Sequence, residues 1–209
     1  MTRTEWVLGI LLAILLIFIA VLGVIFWLQP GNSNRAGSVP VAPTSPFAGQ
    51  TAIEAFLYAQ AEAVKWQPDA GLLKASATWP QGTSRETLLQ GKTSWDFTYY
   101  SPASQMTAVV SVVNEEATLG STHSSTKALA AMDSSNWRVD SQEAILSLLN
   151  SGGGQFIDQN GVSTLTASLS YKTEENRTEW FLSLFSVSNG NSYTALIDAT
   201  SGEIISVIE

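Results

Sequence analysis

The chain has 209 residues, 45% of them hydrophobic, with 10 Lys+Arg against 18 Asp+Glu and no cysteine. The missing thiol excludes disulfides, thiolate nucleophiles, iron–sulfur clusters, cysteine-ligated zinc and the lipid-attachment cysteine of a lipoprotein. From residue 51 onward 8 basic side chains stand against 17 acidic ones, a balance that repels nucleic acid and anionic lipid surfaces, so no nucleic-acid partner is expected.

The first element is an uncharged apolar run of 23 residues, Trp6 to Leu28. As a helix it would be about 34 Å long, enough to cross a hydrocarbon core of about 30 Å. Trp6 and Trp27 stand at its ends, where interfacial aromatics belong. The run is too long for a signal-peptide core, and Asn34-Arg35-Ala36 is a poor cleavage site. Residues 1–29 are therefore expected to form a single membrane anchor. The short head before the span favours a cytoplasmic N-terminus, with the rest of the chain outside. Residues 30–50 form a linker, in which Pro30, Pro40, Pro43 and Pro46 with scattered Gly and Ser make a semi-extended tether.

The remaining residues read as two similar halves. Thr51 and Glu54 form a capping box, and Asp140 with Glu143 repeats the spacing 89 residues later. Behind the first cap, Ile53, Phe56, Leu57, Ala61 and Val64 share one helical face. Behind the second, Ile145, Leu148 and Leu149 do so until Gly152-Gly153-Gly154, expected to stop the helix as a flexible joint. Strand-like alternation follows each helix. In the first half it runs through Leu73–Trp79, Trp95–Tyr99 and Met106–Val113. In the second it runs through Leu165–Tyr171, Trp180–Leu184, Tyr193–Ala199 and Glu203–Ile208. Trp95 matches Trp180 and Ser101 matches Ser186 at an offset of 85. Recurrence at a near-constant spacing suggests tandem duplication. The expected boundaries are 51–120 for the first unit, 121–139 for a connector and 140–209 for the second.

A helix with Glu-Ala at its start, a Trp-x-Phe/Leu-x-Tyr/Leu strand, and a strand closing on Asp-x-x-x-Gly-Glu-Ile together resemble the PepSY domain. The stretch from Trp180 to Ile205 carries the resemblance most clearly, and Trp66 through Pro102 resembles part of another copy. The first copy departs at its end, where Asn114-Glu115-Glu116-Ala117 stands in place of the Asp198–Glu203 turn. The resemblance implies an α+β fold: two tandem PepSY/cystatin-like units, each a helix packed on an antiparallel sheet, behind one transmembrane helix. It also implies a binding role, with a peptidase as the partner class. An accessory subunit of a larger membrane complex is the alternative.

Little in the sequence points to chemistry, and neither enzymatic turnover nor a cofactor is expected. The single histidine, His123, lies in a Ser/Thr-rich stretch expected to be a solvated loop, without the orienting partner that a general base needs. One histidine and no cysteine cannot build a zinc site. Glu115-Glu116 and Glu174-Glu175 fit turns, and Asp198–Glu203 fits a β-turn with Gly202 at positive φ better than a calcium loop. Trp95 and Trp180 are expected in the core. Tyr100 and Phe181, on the opposite strand face, are the candidate binding residues, and alternation by itself does not separate that role from packing.

Overall fold

A computed structural model describes residues 49–161 and 163–209. The expected anchor and nearly all of the linker lie outside the described residues, among which no helix is long and apolar enough to cross a membrane. The chain runs α1 (Ala52–Trp66), β1 (Gly71–Trp79), α2 (Arg85–Leu89), β2 (Trp95–Ser101), β3 (Met106–Val113) and β4 (Glu116–Ser124). It continues through α3 (Ser141–Leu148), a π-type turn at Leu149–Gly153, α4 (Gly154–Asn160), β5 (Ser163–Lys172), β6 (Arg177–Ser186), β7 (Ser192–Asp198) and β8 (Ile204–Ile208). The class is α+β.

All eight strands join one antiparallel sheet in the order β4-β3-β2-β1-β5-β6-β7-β8. The two halves therefore share a single sheet, joined where β1 pairs with β5 from Lys74↔Ser170 to Trp79↔Leu165. Alternation sends Trp95, Phe97 and Tyr99 of β2, and Trp180, Leu182 and Leu184 of β6, into one core beneath the helices. A register shift between Leu72 and Lys74 puts Leu72, rather than Leu73, in that core. The expected connector begins later than residue 121, because β4 extends to Ser124. Its outer residues are exposed and polar, so the strand carries too little apolar alternation to announce itself.

Both helices begin at the expected caps. The buried face of α1 is nonetheless Ala52, Ala55, Ala59 and Ala63, while Leu57 is 66% exposed and Val64 is also exposed. The helix packs on β2, β3 and β4, where its Phe56 meets Phe97 of β2 with ring centroids 6.1 Å apart, and methyl-sized side chains on the buried face let it approach the sheet closely.

The two helix N-termini meet. Asp140 Oδ1 accepts from Ser141 N at 2.6 Å and from Ile53 N at 3.0 Å, so one carboxylate serves both helices. Ser141 Oγ accepts from Ala52 N at 3.0 Å and donates to Gly91 O at 2.8 Å. Two positive dipole ends in contact would repel, and the carboxylates of Asp140, Glu54 and Glu143 at this junction offset that repulsion. Corresponding residues keep corresponding bonds. Trp95 Nε1 donates to Gln50 O at 3.0 Å and Trp180 Nε1 to Val139 O at 2.9 Å, in each case the carbonyl one residue before that half's N-cap. Ser101 Oγ donates to Asp69 Oδ1 at 2.7 Å and Ser186 Oγ to Asn160 O at 3.0 Å, each tying the end of a strand to the segment just before its half's first strand. Ala103 N–H and Ser101 Oγ–H hold the Asp69 carboxyl below its usual range.

The glycine triplet does not stop the second helix. The backbone kinks at Gly152, φ 133, and helix resumes as α4. A Cβ on Gly152 would lie 2.7 Å from Tyr193 Oη, and one on Gly153 2.7 Å from Leu148 O. The triplet is thus a place of close packing, with Tyr193 Oη donating to Ser151 O at 2.6 Å, and not a flexible joint.

Tyr99 is fully buried, and its hydroxyl has no hydrogen-bond partner among the described residues. Burial pushes its phenol pKa upward. Tyr99→Phe removes an unsatisfied polar atom while keeping the ring. It is expected to leave stability unchanged or raise it by up to about 1 kcal/mol in urea unfolding. A loss of more than about 1 kcal/mol would reveal a partner for the hydroxyl.

Candidate functional site

The sheet has one covered face and one open face, and the open face is chemically divided. Paired residues read across it, from β2 to β8, as Asp96, Ser76, Ser168, Phe181, Leu196 and Ser206. The row is polar through the first half and turns apolar at β6. Phe181 is 43% exposed and Phe185, four positions along the same strand, 46%. Ile208, beside Thr194 at the end of β8, is 58% exposed. With the half-buried Leu196 of β7 between β6 and β8, these bulky apolar groups give exposed surface of the kind that marks interaction sites.

The two candidate binding residues separate. Phe181 stands in this patch. Tyr100 is only 2% exposed, and its strand is divided from β6 by β1 and β5. Tyr100 is therefore corrected to a buried residue, since strand alternation assigns a face without saying what lies over it. Phe185 follows from the same alternation that selects Phe181. The exposure of Ile208 does not, because an apolar run reads as a buried strand.

A second apolar surface lies along α1. Leu57, Tyr58 and Ala61 face Ala117 across a groove of about 630 Å³, rimmed by Glu54, Glu62 and Glu116. Its acidic rim includes one internal ion pair, Glu62 with Lys65 at 2.8 Å, of the exposed kind that contributes little to stability.

His123 lies on β4 opposite Thr107, so it belongs to an exposed edge strand rather than a loop. Glu179, buried on β6, forms an ion pair with Arg177, which also pairs with Glu175. The hydrogen bond from Arg177 to Glu179 raises the Arg177 pKa. Burial pushes the Asp198 carboxyl up, but the backbone N–H groups of Ser201 and Thr200 and the charge of Arg177 bring it below its usual range. Gly202 has the expected positive φ, 79, but its N–H donates to Asp198 O, so the β7–β8 connection closes as a five-residue turn rather than the expected β-turn. Among the described residues no group of three or more His, Asp or Glu side chains is placed to hold a metal ion.

No family model matches this chain. No curated protein matches it either. Among solved structures it is similar to a protein from Clostridium difficile 630 that is provisionally described as a lipoprotein. The two share 14% identity over 74% of this chain and 91% of that one, with a TM-score of 0.45.

Proposed function

We propose that the chain is a membrane-tethered, extracytoplasmic binding module built from two PepSY-like units, and that it engages another protein through the open face of its second half. The observation that carries this reading is the exposed apolar patch of Phe181, Phe185 and Ile208 on an otherwise Ser/Thr-rich sheet face. Aromatic residues in such a patch are what protein interfaces use as anchors. The matching Trp-to-cap and Ser-to-turn bonds of the two halves support the duplicated unit. The uncharged 23-residue run at the N-terminus supports the tether. A peptidase is the partner class that the PepSY resemblance implies.

The absence of cysteine makes a direct test available. In Phe181→Cys the only thiol of the chain sits in the patch. A membrane-impermeant, thiol-reactive crosslinker added to intact cells is expected to give one discrete adduct with a second protein. The same reagent on Ser135→Cys, at an exposed site outside the strands, is expected to label the chain without that adduct. No labelling of either variant until the cells are opened would refute the extracytoplasmic location. Labelling of both without an adduct would refute the patch as the binding surface. Recovery of a stable multi-subunit membrane assembly would favour the accessory-subunit alternative.

A further inference from the structure

The strand that ends the sheet is apolar on both faces. β8 reads Ile204-Ile205-Ser206-Val207-Ile208, and all four of its aliphatic side chains are exposed. Such a run is the pattern of a strand covered on both sides and paired at both edges. Yet β8 pairs only with β7, and no described strand lies beyond it. Edge strands present unpaired N–H and C=O groups that can capture another chain, and proteins blunt them with charge, proline or polar residues. The opposite edge is treated that way, since β4 carries Glu116, Gly120, Thr122 and His123 along a mostly exposed strand. Between Glu203 and Glu209, β8 has no charge and no proline.

We propose that β8 is a docking edge, and that its occupant is an extended apolar segment of a partner polypeptide, flanked by basic residues, which adds to the sheet as a ninth strand. The proposal rests on the protein-binding reading given above and names the form in which the partner binds. Main-chain hydrogen bonds to β8 supply the pairing, and alternate side chains extend the apolar surfaces on either side. On the open face they continue the patch of Phe181 and Ile208.

Charge selects the occupant's flanks. Glu203 precedes the strand and Glu209 follows it. Glu209 also borders a cavity of about 370 Å³ with Gln155, Gln159, Asn191 and Tyr193, whose side-chain oxygens suit a lysine or arginine head. A second copy of this chain fits poorly. Antiparallel pairing of two β8 strands about a twofold axis would set Glu203 of one copy toward Glu209 of the other, and like charges directly opposite are destabilising.

The test uses the full chain in detergent micelles and a fluorescein-labelled peptide, Lys-Lys-Val-Thr-Val-Thr-Val-Lys-Lys, with binding read as anisotropy against empty micelles. Saturable binding is expected. It should weaken at least about tenfold when the flanks become Glu, when the valines are N-methylated, and when the chain carries Ile208→Lys, a gatekeeping charge on the edge. N-methylation alters only the peptide, so that arm does not depend on how the variant folds. The proposal fails if the peptide does not bind, or if the N-methylated peptide binds as tightly as its parent. It also fails if the chain self-associates with rising concentration and the peptide reverses that association, because the occupant is then a second copy. A Phe181→Cys adduct that survives unchanged in the Ile208→Lys chain would overturn strand addition while leaving protein binding intact. Absence of the adduct in the Phe181→Cys chain itself would overturn the binding reading.

Discussion

Trp180→Ala is expected to lower the unfolding free energy by about 3–5 kcal/mol, and Trp95→Ala by a similar amount, in urea unfolding followed by circular dichroism. Both indoles are essentially fully buried. Each also donates to the carbonyl before its half's N-cap, so truncation removes a buried hydrogen bond as well as opening a cavity, while each carbonyl keeps a second donor, Thr93 N for Gln50 O and the Trp137 indole for Val139 O. The strands that carry them lie three strand spacings apart, about 14 Å, yet their ring centroids are only 5.9 Å apart, edge to face. On the strands between them, small residues meet at the β1–β5 seam, where Ala77 pairs with Ala167. Trp79 packs against Trp95 at 5.8 Å and Trp137 against Trp180 at 6.0 Å, so the aromatic row runs through the junction of the two halves. The double variant is therefore expected to be non-additive, with a coupling of about 0.5–1.5 kcal/mol. A loss under about 1 kcal/mol for either single variant, or strict additivity in the double, would mean that the row does not hold the halves together.

The strands of this fold are legible in the sequence where one face is buried and the other is wet. Trp95, Phe97 and Tyr99 alternate with Asp96 and Thr98, and the pattern returns at Trp180. The helix starts are legible as well, because capping boxes are short-range chemistry. What the sequence does not disclose depends on contacts distant along the chain. Nothing near Asp140 says that its carboxylate also serves Ile53, 87 residues away. The buried face of α1 departs from the expected one because periodicity weighs the largest apolar residues above the alanines, whereas close approach to the sheet decides which face is buried. β4 escapes a reading by pattern because an edge strand of exposed residues lacks the alternation that burial imposes.

The candidate site is legible in part for the same reason. Phe181 follows from strand parity. The burial of Tyr100 and the exposure of Ile208 depend on which strand is an edge and what lies over it, and a periodic pattern carries neither fact. The apolar run of β8 invites a buried reading, and the disagreement between that composition and its place at the edge is what makes the strand a docking candidate.

Gly91→Ala is expected to destabilise the chain by about 2–5 kcal/mol, a large effect for a single methyl group. Gly91 follows α2 with φ +63, and its carbonyl accepts from Ser141 Oγ at 2.8 Å. A non-glycine residue held in the left-handed region costs about 1–2 kcal/mol by itself. The added Cβ would stand 2.5 Å from Gln142 N and 2.6 Å from its Cα, which is backbone in the first turn of α3 and has no rotamer to yield. Overpacking of that kind typically costs about 1–3 kcal/mol more. The displacement falls on Ser141, whose Oγ also accepts from Ala52 N, so both helix N-termini loosen together. Gly190→Ala separates the two contributions. Gly190 has φ +77, and no atom of the described residues lies within 4 Å of where its new methyl group would stand. It should therefore show only the conformational cost of about 1–2 kcal/mol. Equal losses for the two variants in urea unfolding would show that the contact with Gln142 is not a tight one, and that the helix junction is held by less than its hydrogen bonds suggest.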